Sequence, residues 1–242
     1  MISVLIAEFA KLRRSLVLLL CAAAPAMVAL LLALMFNQKE GLDQPWSVYL
    51  LSTSAIWGFF MLPMAVTALT ILSAQLEHGP KFWNHLFALP VPRASFFAAK
   101  IATVVFLVAA MSAALFVLAP ALGWIGDALA PDRDLIGPLG LADFGATLAR
   151  MFLGALLLIA VQLWAALRFR SFVPPLVLGI GGTFVAVVAT GTDWGPYFPW
   201  LIPVSALARD PAQAELALSV GVIGGVVAIA AMLVDLSRRE IV

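Results

Sequence analysis

An all-α, polytopic membrane protein with six crossing helices is the fold class this 242-residue chain predicts, and three observations predict it. Hydrophobic residues make up 64% of the chain and charged residues 11%, against roughly 45–50% and 25% in an ordinary soluble domain. The mean hydropathy of +1.08 leaves too few polar residues to cover a soluble core. The ionisable residues are spaced so that charge-free runs lie at 15–38, 44–76, 101–126, 151–167, 171–192 and 216–234. A helix needs about 20 residues to cross ~30 Å of hydrocarbon, so the spans fall near 16–36, 50–74, 96–119, 144–167, 171–190 and 216–235. The longest stretches between spans, as in 120–143 and 191–215, hold about 24 residues, too few for a separate folded domain, and 1–242 reads as one transmembrane unit.

Taken in order, residues 1–14 (MISVLIAEFAKLRR) place Ile2, Leu5, Ile6, Phe9 and Leu12 at helical spacing, with Glu8, Lys11 and Arg14 turned away from them. This is the pattern of an interfacial helix. The basic start followed by LVLLLCAAAPAMVA imitates a secretory signal, but the stretch is expected to stay as the first span, with Cys21 as a buried core residue. A single cysteine excludes an intramolecular disulfide framework and a cysteine metal cluster. The segment 77–100 (EHGPKFWNHLFALPVPRASFFAAK) holds a short helix at about 80–90, opened by Pro80 and stopped by Pro90. It is too short to span and must lie along the membrane surface. Phe82, Leu86 and Leu89 share one face, flanked by Trp83 and Phe87, with Lys81, Asn84, His85 and Ala88 opposite. Such a face seats in a groove, made either of lipid headgroups or of another protein.

Orientation follows from the basic residues in short loops. With the N-terminus inside, the cytoplasmic side collects Lys11, Arg13, Arg14, Lys81, Arg93, Lys100, Arg168, Arg170, Arg238 and Arg239, and the outer side only Lys39, Arg133 and Arg209. Both termini are therefore expected in the cytoplasm. A net charge of +1 gives no sign of a nucleic-acid partner. No G-x-x-x-x-G-K-[ST] appears, so the chain has no P-loop route to a nucleotide, and no H-E-x-x-H or G-x-S-x-G points to an intramembrane hydrolase. No metal or catalytic residue is assigned. His78 and His85 read as solvated loop residues, and every Asp or Glu falls at or beyond a span end, unlike the midmembrane carboxylate of a proton-coupled carrier.

Glu77 closing the second span, then a short helix, then L-x-x-L-P-V-x-R within HLFALPVPR (85–93), followed by Phe96, Phe97 and Lys100, resembles the ABC type-2 permeases, the membrane subunits of bacterial ABC exporters. The six-span layout with an amphipathic N-terminal helix agrees, and the small permeases that export lantibiotics and related peptides are similar in size. The resemblance implies that 80–90 is a coupling helix docking on a separate ATPase chain through Glu77, Lys81, Phe82, Trp83, Leu86, Phe87 and Arg93. It implies that ATP and Mg are held by that partner, with no cofactor on this chain. It also implies a second permease, identical or different, and a place in the bacterial inner membrane. In 191–215, Trp194, Tyr197, Phe198 and Trp200 either anchor an interfacial belt or, as the resemblance implies, form short helices of an outer gate. Arg150, two turns inside span four, is a candidate for the substrate path with Gln162 and Trp164; the other reading has it snorkelling outward, with Asp143 as a partner. Gly221 and Gly225 form a GxxxG whose role is close helix packing. The expected function is export of a hydrophobic or amphipathic peptide, lipid or drug; the alternative is a membrane scaffold without transport.

Overall fold

The computed structural model describes residues 2–13, 15–37, 43–78, 92–129 and 135–238. Its helices are α1 (Ile2–Leu12), α2 (Leu16–Asn37), α3 (Trp46–Ile56), α4 (Leu62–His78), α5 (Arg93–Leu129), α6 (Leu141–Gly154), α7 (Leu156–Arg168), α8 (Val173–Ala189) and α9 (Pro211–Arg238). Two-residue strands, β1 (Gln44–Pro45) and β2 (Leu135–Ile136), pair in parallel at one end of the bundle. The chain is a helical, multi-pass membrane protein: four helical stretches are long and apolar enough to cross a bilayer, and the bent pair α6–α7 makes a fifth.

Several of these elements depart from straight spans, each for a local reason. Between α3 and α4 a π-helical turn, Trp57–Met61, carries one extra residue per turn, and the Pro63 just beyond it cannot donate to the ladder. Pro120 lies inside α5, which runs ten residues past the span end expected at 119; neighbouring helices tolerate the lost hydrogen bond. With 37 residues, α5 is roughly 55 Å long and reaches well beyond the hydrocarbon. The fourth span, expected over 144–167 and interrupted by Arg150, is bent farther along: α6 and α7 meet at Ala155 with a bend of 40°. The expected span 171–190 is the short α8, opened by Pro174 and Pro175 and only 17 residues, about 25 Å, in length.

The chain alternates between two ends. α1, the C-terminus of α4, the start of α5 and the α7–α8 turn gather at one; β1, β2 and the 190–210 connection gather at the other. α2 packs chiefly on α5, α7 on α9 and α4, and α4 on α8. Val28, Leu69, Val108, Met111, Leu115, Leu158 and Leu163 are buried in the common core. Leu19, Phe106, Phe184, Val188 and Val227 point outward, the side of a bundle whose solvent is lipid. Cys21 is half-buried.

Candidate functional site: an ion quartet beneath α1

The face of α1 that packs against α5 is built from Val4, Glu8 and Leu12, spaced one turn apart, with Leu5 and Phe9 beside them. Phe9 meets Phe106 of α5 edge to face at 5.4 Å. The sequence pattern turns Glu8 away from the apolar face of an interfacial helix. The structure buries it instead: Glu8 is only 4% exposed, while Ile6 of the apolar face stays exposed, as a membrane-seated side chain would be.

Glu8 is drawn inward by cations. Lys100, on the second turn of α5 and 3% exposed, places its ammonium 2.9 Å from Glu8 Oε2 and 2.8 Å from Glu77 Oε1 at the end of α4. Its third N–H donates to the Ser73 carbonyl at 3.2 Å, so every donor of the ammonium is used. Lys11 closes the ring by pairing with Glu8 on its own helix and with Glu77 at 3.1 Å. Two carboxylates and two ammoniums thus form a neutral cluster joining α1, α4 and α5. Burial pushes the Glu8 carboxyl up, but Lys100 and then Lys11 outweigh it and hold Glu8 below its ordinary 4.5. Burial likewise pulls the Lys11 ammonium down, but Glu77 and Glu8 outweigh it and raise Lys11 above 10.5. An acid at the C-terminus of its helix calls for a cation, with Lys81 and Lys100 within reach along the chain, and Lys100 takes that place. Lys81 lies outside the described residues, with Phe82, Trp83, Leu86, Phe87 and the whole expected helix 80–90. Arg93 opens α5. The quartet therefore stands at both roots of the segment 79–91, on Glu77 before it and Lys100 after it.

The remaining sequence candidates are held by neighbours of their own. Arg150 pairs with Glu215 of α9, not with Asp143. Gln162 is fully buried and its Nε2 donates to the Pro175 carbonyl of α8 at 2.6 Å. Trp164 Nε1 and Arg168 both donate to the Asp235 carboxylate of α9, at 2.8 and 2.9 Å. These three side chains brace α6 and α7 against three different partners and do not converge on one site.

Across the far end, residues 191–210 fold over the bundle as two short 3-10 turns, Gly195–Tyr197 and Val204–Leu207. Trp194 and Tyr197 are exposed, Phe198 is half-buried, and Trp200 is buried. Trp194 lies edge-on to Phe198 at 5.6 Å, and Phe198 lies tilted to Trp200 at 5.5 Å. Trp200 covers Gly182, where an added Cβ would come within 2.4 Å of the indole. Ile202 reaches down to the bend, packing on Gly154 and Gly221. The GxxxG does the packing expected of it: Gly221 faces the backbone of Gly154, and Gly225 faces Leu156. Among the described residues no group of three His, Cys, Asp or Glu gathers that could hold a metal ion.

Comparison with known proteins gives one match. The sequence model of the family described as ABC-2 family transporter protein matches residues 4–186, well over half of the chain and inclusive of most of α1, the quartet and the segment it borders. No curated protein and no solved structure matches.

Proposed function

Since this chain belongs to the ABC-2 family of transporter proteins, and is thus the membrane permease of an ABC transporter, we propose that it serves an ATP-driven exporter of a hydrophobic or amphipathic substrate, a peptide, lipid or drug. In this reading the chain crosses the membrane six times, α8 completing the count, with both termini in the cytoplasm of a bacterial inner membrane. A partner ATPase holds ATP and Mg, and two permeases, identical or different, enclose the substrate path. Segment 80–90 docks on the ATPase, with Phe82, Trp83, Leu86 and Phe87 as apolar anchors and Lys81 and Arg93 at the rim. The 191–215 connection, with Trp194, Tyr197, Phe198 and Trp200, forms the outer gate.

One observation carries the coupling role: the quartet ties Glu77 and Lys100, on either side of the docking segment, to each other and to Glu8 and Lys11 of α1. A push on that segment then moves α1, α4 and α5 together, because separating buried ions costs several kcal/mol. ATP-driven closure of the ATPases is thereby passed to the bundle, and the cavity between permeases switches from inward to outward.

The test is capture of the ATPase by the tagged permease, followed by ATP hydrolysis of the captured complex. Phe82→Ala and Trp83→Ala should lose the ATPase, since one interface aromatic can be worth ~2 kcal/mol or more. Glu77→Gln should keep it but lower the stimulation of hydrolysis by the permease. If all three variants bind and stimulate like the parent, the segment is a lipid anchor and a non-transporting membrane scaffold becomes the better reading.

A further inference from the structure

At the far end of the bundle, α3, the loop before α6, the first two turns of α6 and the Val204–Leu207 turn line an open pocket of about 150 Å³. One water needs roughly 10–15 Å³ of such space, so a bare inorganic ion would leave most of the pocket unfilled. Part of the lining is apolar, with Leu50, Leu51, Leu139, Phe144 and Leu207; the rest brings Ser47, Ser54, Thr147 and Asp143. Leu50 and Phe144 begin the spans that the hydropathy pattern predicts, so the pocket straddles the level at which two helical stretches enter hydrocarbon. Whatever fills it meets both solvents.

The polar lining is short of donors. Thr147 Oγ1 donates to the Asp143 carbonyl at 2.8 Å and Ser54 Oγ to the Leu50 carbonyl at 2.9 Å, so neither has a proton left for a ligand. Asp143 is exposed at the pocket, and its carboxylate is paired with no cation among the described residues, because Arg150 is held by Glu215. It can only accept. The positive end of the α6 dipole amounts to about half a charge, which Asp143 in the first turn more than cancels. The surroundings reinforce the sign. Among the described residues this end of the bundle carries Asp43, Asp127, Asp143, Asp193, Asp210 and Glu215 against Arg150 and Arg209, a field that concentrates cations and repels anions.

We infer that this pocket binds an amphiphile of net positive charge, its ammonium head on Asp143 and its apolar body against Leu51, Phe144 and Leu207. Charge complementarity selects the head, and the hydrocarbon side of the lining selects the body. A zwitterionic lipid fits less well, since the phosphate beside its amine meets the same excess of acids. The binding needs neither ATPase nor transport, so its test stands apart from that of the exporter reading.

The experiment uses the full chain in phosphatidylcholine nanodiscs and three diazirine-bearing dodecyl probes that differ only in the head: primary ammonium, hydroxyl or sulfate. Photolabelling of peptides covering 47–54 and 138–147 should favour the ammonium over the hydroxyl about fivefold, the scale of one partly exposed ion pair, with the sulfate weakest. The excess should shrink as salt rises from about 0.05 M to about 0.5 M. Asp143→Asn should bring the ammonium probe down to the hydroxyl probe, whereas Asp193→Asn, at the same end but outside the pocket, should keep the preference. Ser47→Trp, at an exposed position that spares the core, should bring all three probes to background. Equal labelling by the three heads, an ammonium preference that survives Asp143→Asn or falls as far with Asp193→Asn, or indifference to Ser47→Trp would each overturn the proposal. So would displacement of the ammonium probe when phosphatidylethanolamine replaces phosphatidylcholine, which would give the pocket to a resident lipid. A disulfide-linked dimer formed at Ser47→Cys in a Cys21→Ser background would likewise overturn it, by assigning the pocket to a second copy of the chain.

Discussion

At the α1 end of the bundle a cluster of four charges is withdrawn into the protein, although the Arg168–Asp235 pair there stays partly open, while at the far end the Arg150–Glu215 pair lies in the open and shape does the holding. Glu8, Glu77 and Lys100 are almost fully buried and use one another as partners. Arg150 and Glu215, the ion pair at the other end, keep side-chain exposures of 41% and 63%. There the contacts that leave no slack are Trp200 on Gly182 and Ile202 between Gly154 and Gly221. A buried neutral ion cluster resists being pulled apart but tolerates being carried as one body. A knob on glycine tolerates little change in spacing but leaves no ion uncompensated when it lifts away. The difference suits the roles proposed for the two ends, one passing on a displacement and the other opening.

The largest way to break this comparison is Lys100→Met. It leaves Glu8 and Glu77 facing each other with Lys11 alone, and removing one partner of a buried pair costs ~3–5 kcal/mol. Denaturant unfolding in detergent micelles should show a loss of this size, and a loss below ~1 kcal/mol would place the quartet among ordinary surface pairs. Next comes Gly221→Val at the shape-held end. An added Cβ would sit 2.5 Å from the Gly154 carbonyl oxygen, which as backbone cannot step aside, and overpacking of this kind costs ~1–3 kcal/mol. Gly181→Ala in α8, where nothing lies within 4 Å, is the control and should be silent in the same assay.

A third test uses pH to sharpen the contrast. Glu8 is held below 4.5, so its contribution to docking α1 is present above that value and is lost as pH falls through the lowered one. Lys11 is raised above 10.5, so its contribution is present below that value and is lost as pH rises through the raised one. A spin label at Ile6→Cys in a Cys21→Ser background should therefore keep one mobility from 4.5 to 10.5. Release of α1 inside that window would show that the two groups do not act as a neutral set.

Part of this was legible in the sequence. The end-of-span position of Glu77 demanded a cation, because an acid opposes the helix dipole there, and Lys100 was one of two candidates within reach along the chain. Glu8 and Lys11 were not readable as members. They stand 69 and 66 residues before Glu77, and the apolar moment of α1 turned them toward water. Periodicity reports which side chains prefer lipid, not which charges will find partners across the bundle. The GxxxG of α9 announced close packing but not its partner. That partner is the bend at Ala155, which no proline marks and against which Ile202 packs from the 191–210 connection. The aromatic richness of that connection was plain, yet the division into exposed Trp194 and Tyr197 and buried Trp200 depends on a glycine in α8.

The smallest expected effect closes the comparison. Arg150 was the costliest charge in the sequence, set two turns inside a span, and its burial would make it a second quartet in miniature. The structure instead gives it Glu215, more than half exposed, and a pair so open is screened and entropically expensive to hold. Arg150→Met should change unfolding free energy by ~0–1 kcal/mol, and the difference from the parent should shrink further as salt is raised. A loss approaching that of Lys100→Met would mean that Arg150 is desolvated when the protein sits in lipid. The far end would then be held by charge as the α1 end is, and an opening motion there would have to break a desolvated ion pair rather than lift a side chain off glycine.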